Sequence, residues 1–282
     1  MSAIRIVTDS TAYLPQELID RRAIKVVPLK VNFDTEVFSE GVDLSNDEFY
    51  EKLRHAENLP TTSQPSVGDF KVAYEELLGS GAEGIISIHI AEGISGTAQS
   101  ARAAAAELPG AQIAVVNSRV AGCALAMIVL KIAEELEAGM SLPDLKALSE
   151  DLAEKVRIFF VVDTLEYLHK GGRIGGAKAF MGSMLNVKPI LGLQNIIEPV
   201  DKARGRVKAV ARMIELAQEE LAGRSAKIAF THTRDLEGIM QVKDQVVEAL
   251  KCDPLPVIIN ETGPVIGAHI GPGTLSLAFY PQ

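Results

Sequence analysis

Short runs of Val, Ile, Leu and Phe recur along the chain, separated by longer stretches with helical periodicity. The runs cover residues 4–8, 26–31, 84–90, 112–116, 158–162, 227–230, 257–259 and 274–280. Few polar residues interrupt them, which is the pattern of strands covered on both faces. Helix starts are marked in between. Ser45 with Glu48, Ser66 with Asp69 and Ser141 with Asp144 each set a capping hydroxyl three residues before an acid. Pro15 and Pro143 stand where a first helical turn accepts proline. This alternation predicts an α/β protein with mainly parallel sheets. The charged helical block 141–156 gives way at once to the apolar run 158–162, so a domain boundary is expected there. Residues 1–155 then form one α/β domain and 156–282 a second, with the last strand free to return to either sheet and a ligand cleft between the two.

With 47% hydrophobic and 23% charged residues in 282, the chain has core material for one large or two ordinary domains. A net charge of −9 argues against a general nucleic-acid binder and against attachment to anionic membrane by charge. Cys123 and Cys252 are far apart and outside any CxxC pair, which speaks against a metal cluster or a disulfide framework. Cys123 lies in the apolar run 121–130 and reads as a small core residue, compatible with a reducing cytoplasm. The opening MSAIRIVTDS reads as a strand ending at Asp9 and not as a secretory signal. The run 121–130 is too short to span a bilayer. The expectation is a soluble cytoplasmic protein without an integral membrane segment.

Four segments suit small-molecule contact better than packing: residues 60–66 (PTTSQPS), 87–100 (SIHIAEGISGTAQS), 163–185 with its KGGRIGG centre, and 262–274 (TGPVIGAHIGPGT). The second has the clearest physics. A strand running into a Ser-Gly-Thr helix start leaves unpaired N–H groups and the positive end of a helix dipole, an anion site to which Ser95 and Thr97 add hydroxyls. Gly96 would let a ligand approach the backbone, while Ser95 could equally serve as the cap of a helix over 96–108. His269, among glycines and prolines, suits hydrogen bonding better than packing. Asp9 and Asp163 close strands where α/β sheets hold ligands, although both also suit helix capping.

Nucleotide chemistry is disfavoured, because no G-x-x-x-x-G-K-[ST] occurs and the glycines at 171–176 follow a helical segment, not a strand. Hydrolysis is the alternative carried forward. Ser95 sits in GISGT, one residue away from a G-x-S-x-G elbow, with His89 or His269 as base and Asp9 or Asp163 as orienter. The five histidines form no metal-binding spacing.

Taken in order, TDSTAYLP (8–15), PTTSQPS (60–66), GISGTAQSA (93–101), VVNSRVAG (115–122), DTLEYLHKGGRIGG (163–176), NVKPIL (186–191) and GPVIGAHIGPGT before the strand SLAFY resemble the DegV family of bacterial proteins along the whole chain. The resemblance implies two α/β domains holding an extended fatty acid between them, and no catalysis or cofactor of the protein's own. It implies a carboxylate near Thr62, Ser63, Ser95, Gly96 and Thr97, with Gly267 and His269 on the opposite wall. It also implies presentation of the acid to an ATP-dependent fatty acid kinase that makes an acyl phosphate, with Arg173 and Lys170 as partner or phosphate contacts. For the tail, Phe159, Phe160, Phe180, Met181, Met184, Leu185, Ile190 and Leu191 are expected to wall an apolar tunnel.

Overall fold

A computed structural model describes residues 4–181, 187–250 and 259–282. The chain opens with β1 (Ile4–Asp9), a 3₁₀ turn (Ser10–Ala12), α1 (Gln16–Arg21) and β2 (Lys25–Val27). It continues through β3 (Lys30–Phe33), β4 (Glu36–Ser39), α2 (Asn46–His55), β5 (Thr61–Ser63), α3 (Val67–Gly79), β6 (Gly84–His89), α4 (Thr97–Ala106) and β7 (Ile113–Asn117). Helices α5 (Cys123–Glu137) and α6 (Leu142–Lys155) lead to β8 (Arg157–Val161), α7 (Glu166–Lys170), β9 (Val187–Gln194), β10 (Ile196–Arg204) and α8 (Arg206–Leu221). Last come β11 (Ala226–His232), α9 (Leu236–Leu250), β12 (Ile259–Glu261), α10 (Pro264–Ile270) and β13 (Leu275–Pro281).

The α/β architecture expected from the alternation is present. The first sheet, ordered β2-β1-β6-β7, is parallel throughout. Its central strand β6 is buried along its whole length, Ile86 and Ile88 facing one core and Ile85 the other. The apolar run 26–31 is not one strand. Pro28 has no N–H to continue a ladder, and the chain leaves the parallel sheet there to form a small antiparallel sheet, β4-β3-β5. This places Thr62 opposite Val31.

The second sheet, β10-β9-β8-β13-β11-β12, departs from the expected parallel pairing, which it keeps between β11 and β12 alone. β8, β9 and β10 run up and down beside one another, with Asn195 at φ 70° making the tight left-handed turn between β9 and β10. β13 enters between β8 and β11, antiparallel to both, so the last strand belongs to the second sheet. Of the sequence expectations, Met184, Leu185, Cys252 and the start of the run 257–259 lie outside the described residues.

The segment around His269 is a short helix and not a turn. Pro264 occupies its first turn, where the missing N–H costs nothing, and Gly271 at φ +69° ends it. This helix, α10, packs on α2, β3, β5 and α7. It therefore brings the second half of the chain against the hydroxyl-bearing loop of the first. No helix among the described residues is long and apolar enough to cross a membrane.

Candidate functional site

A cavity of about 240 Å³ lies where α10, β5, the turn before α4 and the second sheet meet. Its polar lining includes Thr62, Ser63, Gln64, Ser95, Arg173 and His269, with Thr231, Thr262 and Ser276 besides. His269 Nε2 is 2.7 Å from Thr62 Oγ1. Arg173 donates from Nε to Ile94 O at 3.2 Å and from Nη1 to Gly171 O at 2.9 Å, bridging the residue before Ser95 to the loop beside His269. Ser95 Oγ lies 2.8 Å from Thr97 Oγ1. The first α-helical bond of α4 runs from Ser100 N to Gly96 O, but the turn before the helix does not leave its N–H groups free as expected: Ile94 N and Ser95 N both donate to Ala91 O, and Gly93 N donates to Asn195 Oδ1.

His269 is 9% exposed, and its Nδ1 has no hydrogen-bond partner. Burial, with the Arg173 guanidinium nearby adding to it, pushes this imidazole down to about 4, so the ring is neutral at neutral pH. The first turn of α10 is held from behind by Glu40, itself 4% exposed. Glu40 Oε1 accepts from Val265 N at 2.7 Å and from Tyr13 OH at 3.2 Å, while Oε2 accepts from Ser10 Oγ at 2.5 Å. Burial, reinforced by the charge of Asp9, raises this carboxyl to about 7 against the pull of those three donors.

Not every residue expected at the site faces the cavity. Gly96 does not admit a ligand. A Cβ there would run into the Gln64 amide, so Gln64 occupies the space and itself lines the cavity. Gly96, not Ser95, is the cap of α4, and it makes no side-chain cap bond. Thr97 is fully buried and meets Ser95, not the cavity. Gly267 makes room for the Phe49 and Tyr50 rings of α2. Lys170 lies on the surface, 2.6 Å from Glu166. Asp9 is buried and accepts from Thr11, Ile90 N and His89, the structural role already weighed for it.

The catalytic alternative is not assembled. Ser95 pairs with Thr97 and with no histidine; His269 is engaged by Thr62; His89 is wholly buried between Ser87 and Asp9. Cys123 is buried, with its thiol raised to about 12 by burial, as a core residue should be. Among the described residues no group of three His, Cys, Asp or Glu side chains could hold a metal.

Strand parity decides the apolar wall. Side chains alternate across a strand, so Ile158 and Phe160 of β8 face the cavity with Leu193 and Ile197, whereas Phe159 packs behind the sheet with Ile190, Ala209 and Met213. Of the tail residues expected, Phe160 lines the cavity. Leu191 lies in the adjoining core, Phe180 stacks under Lys202, and Met181 is exposed. Sequence reasoning missed Gln64, in the loop after β5, and Ile158, Leu193, Ile197, Thr231 and Ser276, whose orientation depends on how their strands pair.

Gly171 supports His269 by having no side chain, since a Cβ there would collide with Nδ1. Gly171→Ala is expected to lower affinity for the cavity's ligand about tenfold by pushing the ring off Thr62, a crowding cost of about 1–3 kcal/mol. Titration calorimetry in a His269→Ala background checks this, because the Gly171 effect should shrink to the lesser contact with Tyr167 O once the ring is gone.

The class is an α/β protein whose parallel and mixed sheets meet around a cavity lined by hydroxyls and hydrocarbon. The chain belongs to the DegV family: the family model described as "Uncharacterised protein, DegV family" matches residues 3–282. A DegV domain-containing protein of Halalkalibacterium halodurans is 38% identical over 282 residues, covering 99% of both chains. Among solved structures, a DegV family protein from Thermus thermophilus, described for its fatty acid binding, superposes with a TM-score of 0.92 at 38% identity over 99% of each chain. DegV of Bacillus subtilis, described as a fatty acid binding protein, superposes at 0.89 with 35% identity over 100% of each chain.

Proposed function

We propose that this protein binds one long-chain fatty acid in the cavity and presents its carboxylate to an ATP-dependent fatty acid kinase, breaking no bonds itself. The observation that carries the reading is the make-up of the lining: Thr62 paired with His269, Ser63, Ser95, and Arg173 held on the carbonyls of Ile94 and Gly171, together with a wall of Ile158, Phe160, Leu193 and Ile197. A carboxylate needs charge-assisted hydrogen bonds, and a hydrocarbon tail needs dry apolar surface, gaining about 0.8 kcal/mol per buried methylene. The fatty acid binding described for the Thermus thermophilus and Bacillus subtilis relatives supports the same ligand.

In this reading each front hydroxyl is primed from behind. A neutral His269 protonated on Nε2 donates to Thr62 Oγ1, and buried Thr97 donates to Ser95 Oγ. The Thr62 and Ser95 protons are then free to meet the carboxylate, with Ser63 beside them and Arg173 as the nearby cation. Arg173 then faces the phosphate once the acyl phosphate forms, and Lys170 at the surface meets the kinase. A cytoplasmic setting with ATP fits this exchange.

Mass spectrometry of the purified protein after denaturing extraction should find one long-chain fatty acid per chain. Protein that emerges empty, and stays empty after incubation with fatty acid, would rule the reading out. Adding a bacterial fatty acid kinase with ATP should convert the bound acid, and Lys170→Glu should slow that conversion without weakening acid binding.

A further inference from the structure

The apolar wall of the cavity is broken by one polar row. In the second sheet Thr231 of β11 stands directly opposite Ser276 of β13, and Ser276 directly opposite Phe160 of β8. Directly opposed residues point to the same face with Cβ atoms about 5 Å apart, and all three line the cavity. Around them the wall is hydrocarbon: Ile158, Phe160 and Leu193 on the sheet, Ala121 across from it.

Among the described residues neither the Thr231 nor the Ser276 hydroxyl bonds a protein oxygen or nitrogen. Ser276 is 5% exposed, and its side chain makes no hydrogen bond among the described residues. Thr231, 2% exposed, reaches only the Cys123 sulfur, at 3.8 Å, and a buried thiol is a weak partner. Nearby Thr262 adds a third hydroxyl to the lining, also without a side-chain bond. Gly122 leaves the space beside Thr231 open, since even an added Cβ would stop 4.0 Å short of its Oγ1. Buried polar groups are normally paired, and those left unpaired carry a desolvation penalty. A saturated acyl chain laid along this row would dry both hydroxyls without replacing their water. An alcohol on the chain could accept from one and donate to the other.

We infer that the cavity is built for a hydroxylated acyl chain, the Thr231–Ser276 pair meeting a hydroxyl carried along the tail, away from the carboxylate. This rests on the fatty acid reading of the same cavity and names the class of acid within it. A site that hydrogen-bonds a ligand hydroxyl discriminates strongly against the analogue lacking it, because its own polar groups are then left dry.

The test is competition binding to the full chain with stearic acid and a positional series of hydroxystearic acids. The wild-type protein should prefer at least one mid-chain isomer about tenfold over stearic acid, the worth of one to two hydrogen bonds made in a dry site. Thr231→Val with Ser276→Ala keeps the shape and removes the hydroxyls. It should invert the order, binding the favoured isomer about tenfold more weakly and stearic acid more tightly than before. Stearic acid preferred over every isomer by the wild-type protein would overturn this inference alone, and would mean that the pair holds water. Binding of neither kind of acid would overturn the fatty acid reading as well. The wild-type comparison needs no variant to fold.

Discussion

Replacing Ser95 and Thr62 together by alanine should weaken fatty acid binding about a hundredfold and leave the fold standing. In the proposed reading each hydroxyl supplies a hydrogen bond to a carboxylate, and such bonds contribute roughly 1.5–3 kcal/mol. Losing two at the lower figure is about 3 kcal/mol, two decades of affinity. Neither side chain holds the scaffold. Gly96 caps α4, and the polar contacts of the two hydroxyls are to Thr97 and His269. Thr62→Ala also strips His269 Nε2 of its partner, so it should be the costlier single change. Calorimetric titration with a long-chain acid, beside a thermal melt of the empty protein, separates the two effects. An unaltered dissociation constant in a folded double variant would move the head group to another part of the cavity.

Glu40→Gln should stabilise the protein by about 3 kcal/mol at pH 8 and by almost nothing at pH 4. The native carboxyl titrates near 7 and the unfolded one near 4.5, so the folded chain holds this proton more tightly. A raised native value adds stability that is complete below the unfolded value and is lost as pH climbs through the native one. Two to three units correspond to roughly 3 kcal/mol at 1.36 kcal/mol per unit. An amide fits the site, because Oε1 can go on accepting from Val265 N and Tyr13 OH while the nitrogen takes the place of Oε2 beside Ser10. Chemical denaturation at a series of pH values measures this. Parallel stability curves for the two proteins from pH 4 to 8 would mean that Glu40 is ionised throughout.

How far the sequence could be read depends on how local each signal is. β1, β6 and β8 were legible because they are largely buried and read as apolar runs, and β7, half-buried at the sheet edge, was legible by its apolar run alone. The β9–β10 hairpin was not, since β10 alternates exposed and covered positions and both strands carry proline. The head of the site was legible in part. Thr62, Ser63, Ser95 and His269 are polar residues in Gly/Pro-rich surroundings, and the cavity gathers all four. Gly96 and Gly267 looked like ligand contacts, but their missing side chains serve Gln64 and α2 instead. The tail wall was largely illegible. Which of Phe159 and Phe160 faces a ligand is set by strands paired across more than a hundred residues, and Thr231 and Ser276 look like any hydroxyls in a strand until their register is known.

The alternation along β8 separates two jobs that a single layer of side chains would have to share. Phe160 and Ile158 can change size to suit a different guest while Phe159 and Val161 keep α8 anchored on the far side. A lineage of such proteins could therefore diversify its choice of guest by substituting every second position of one ribbon, leaving the packing against α8 untouched.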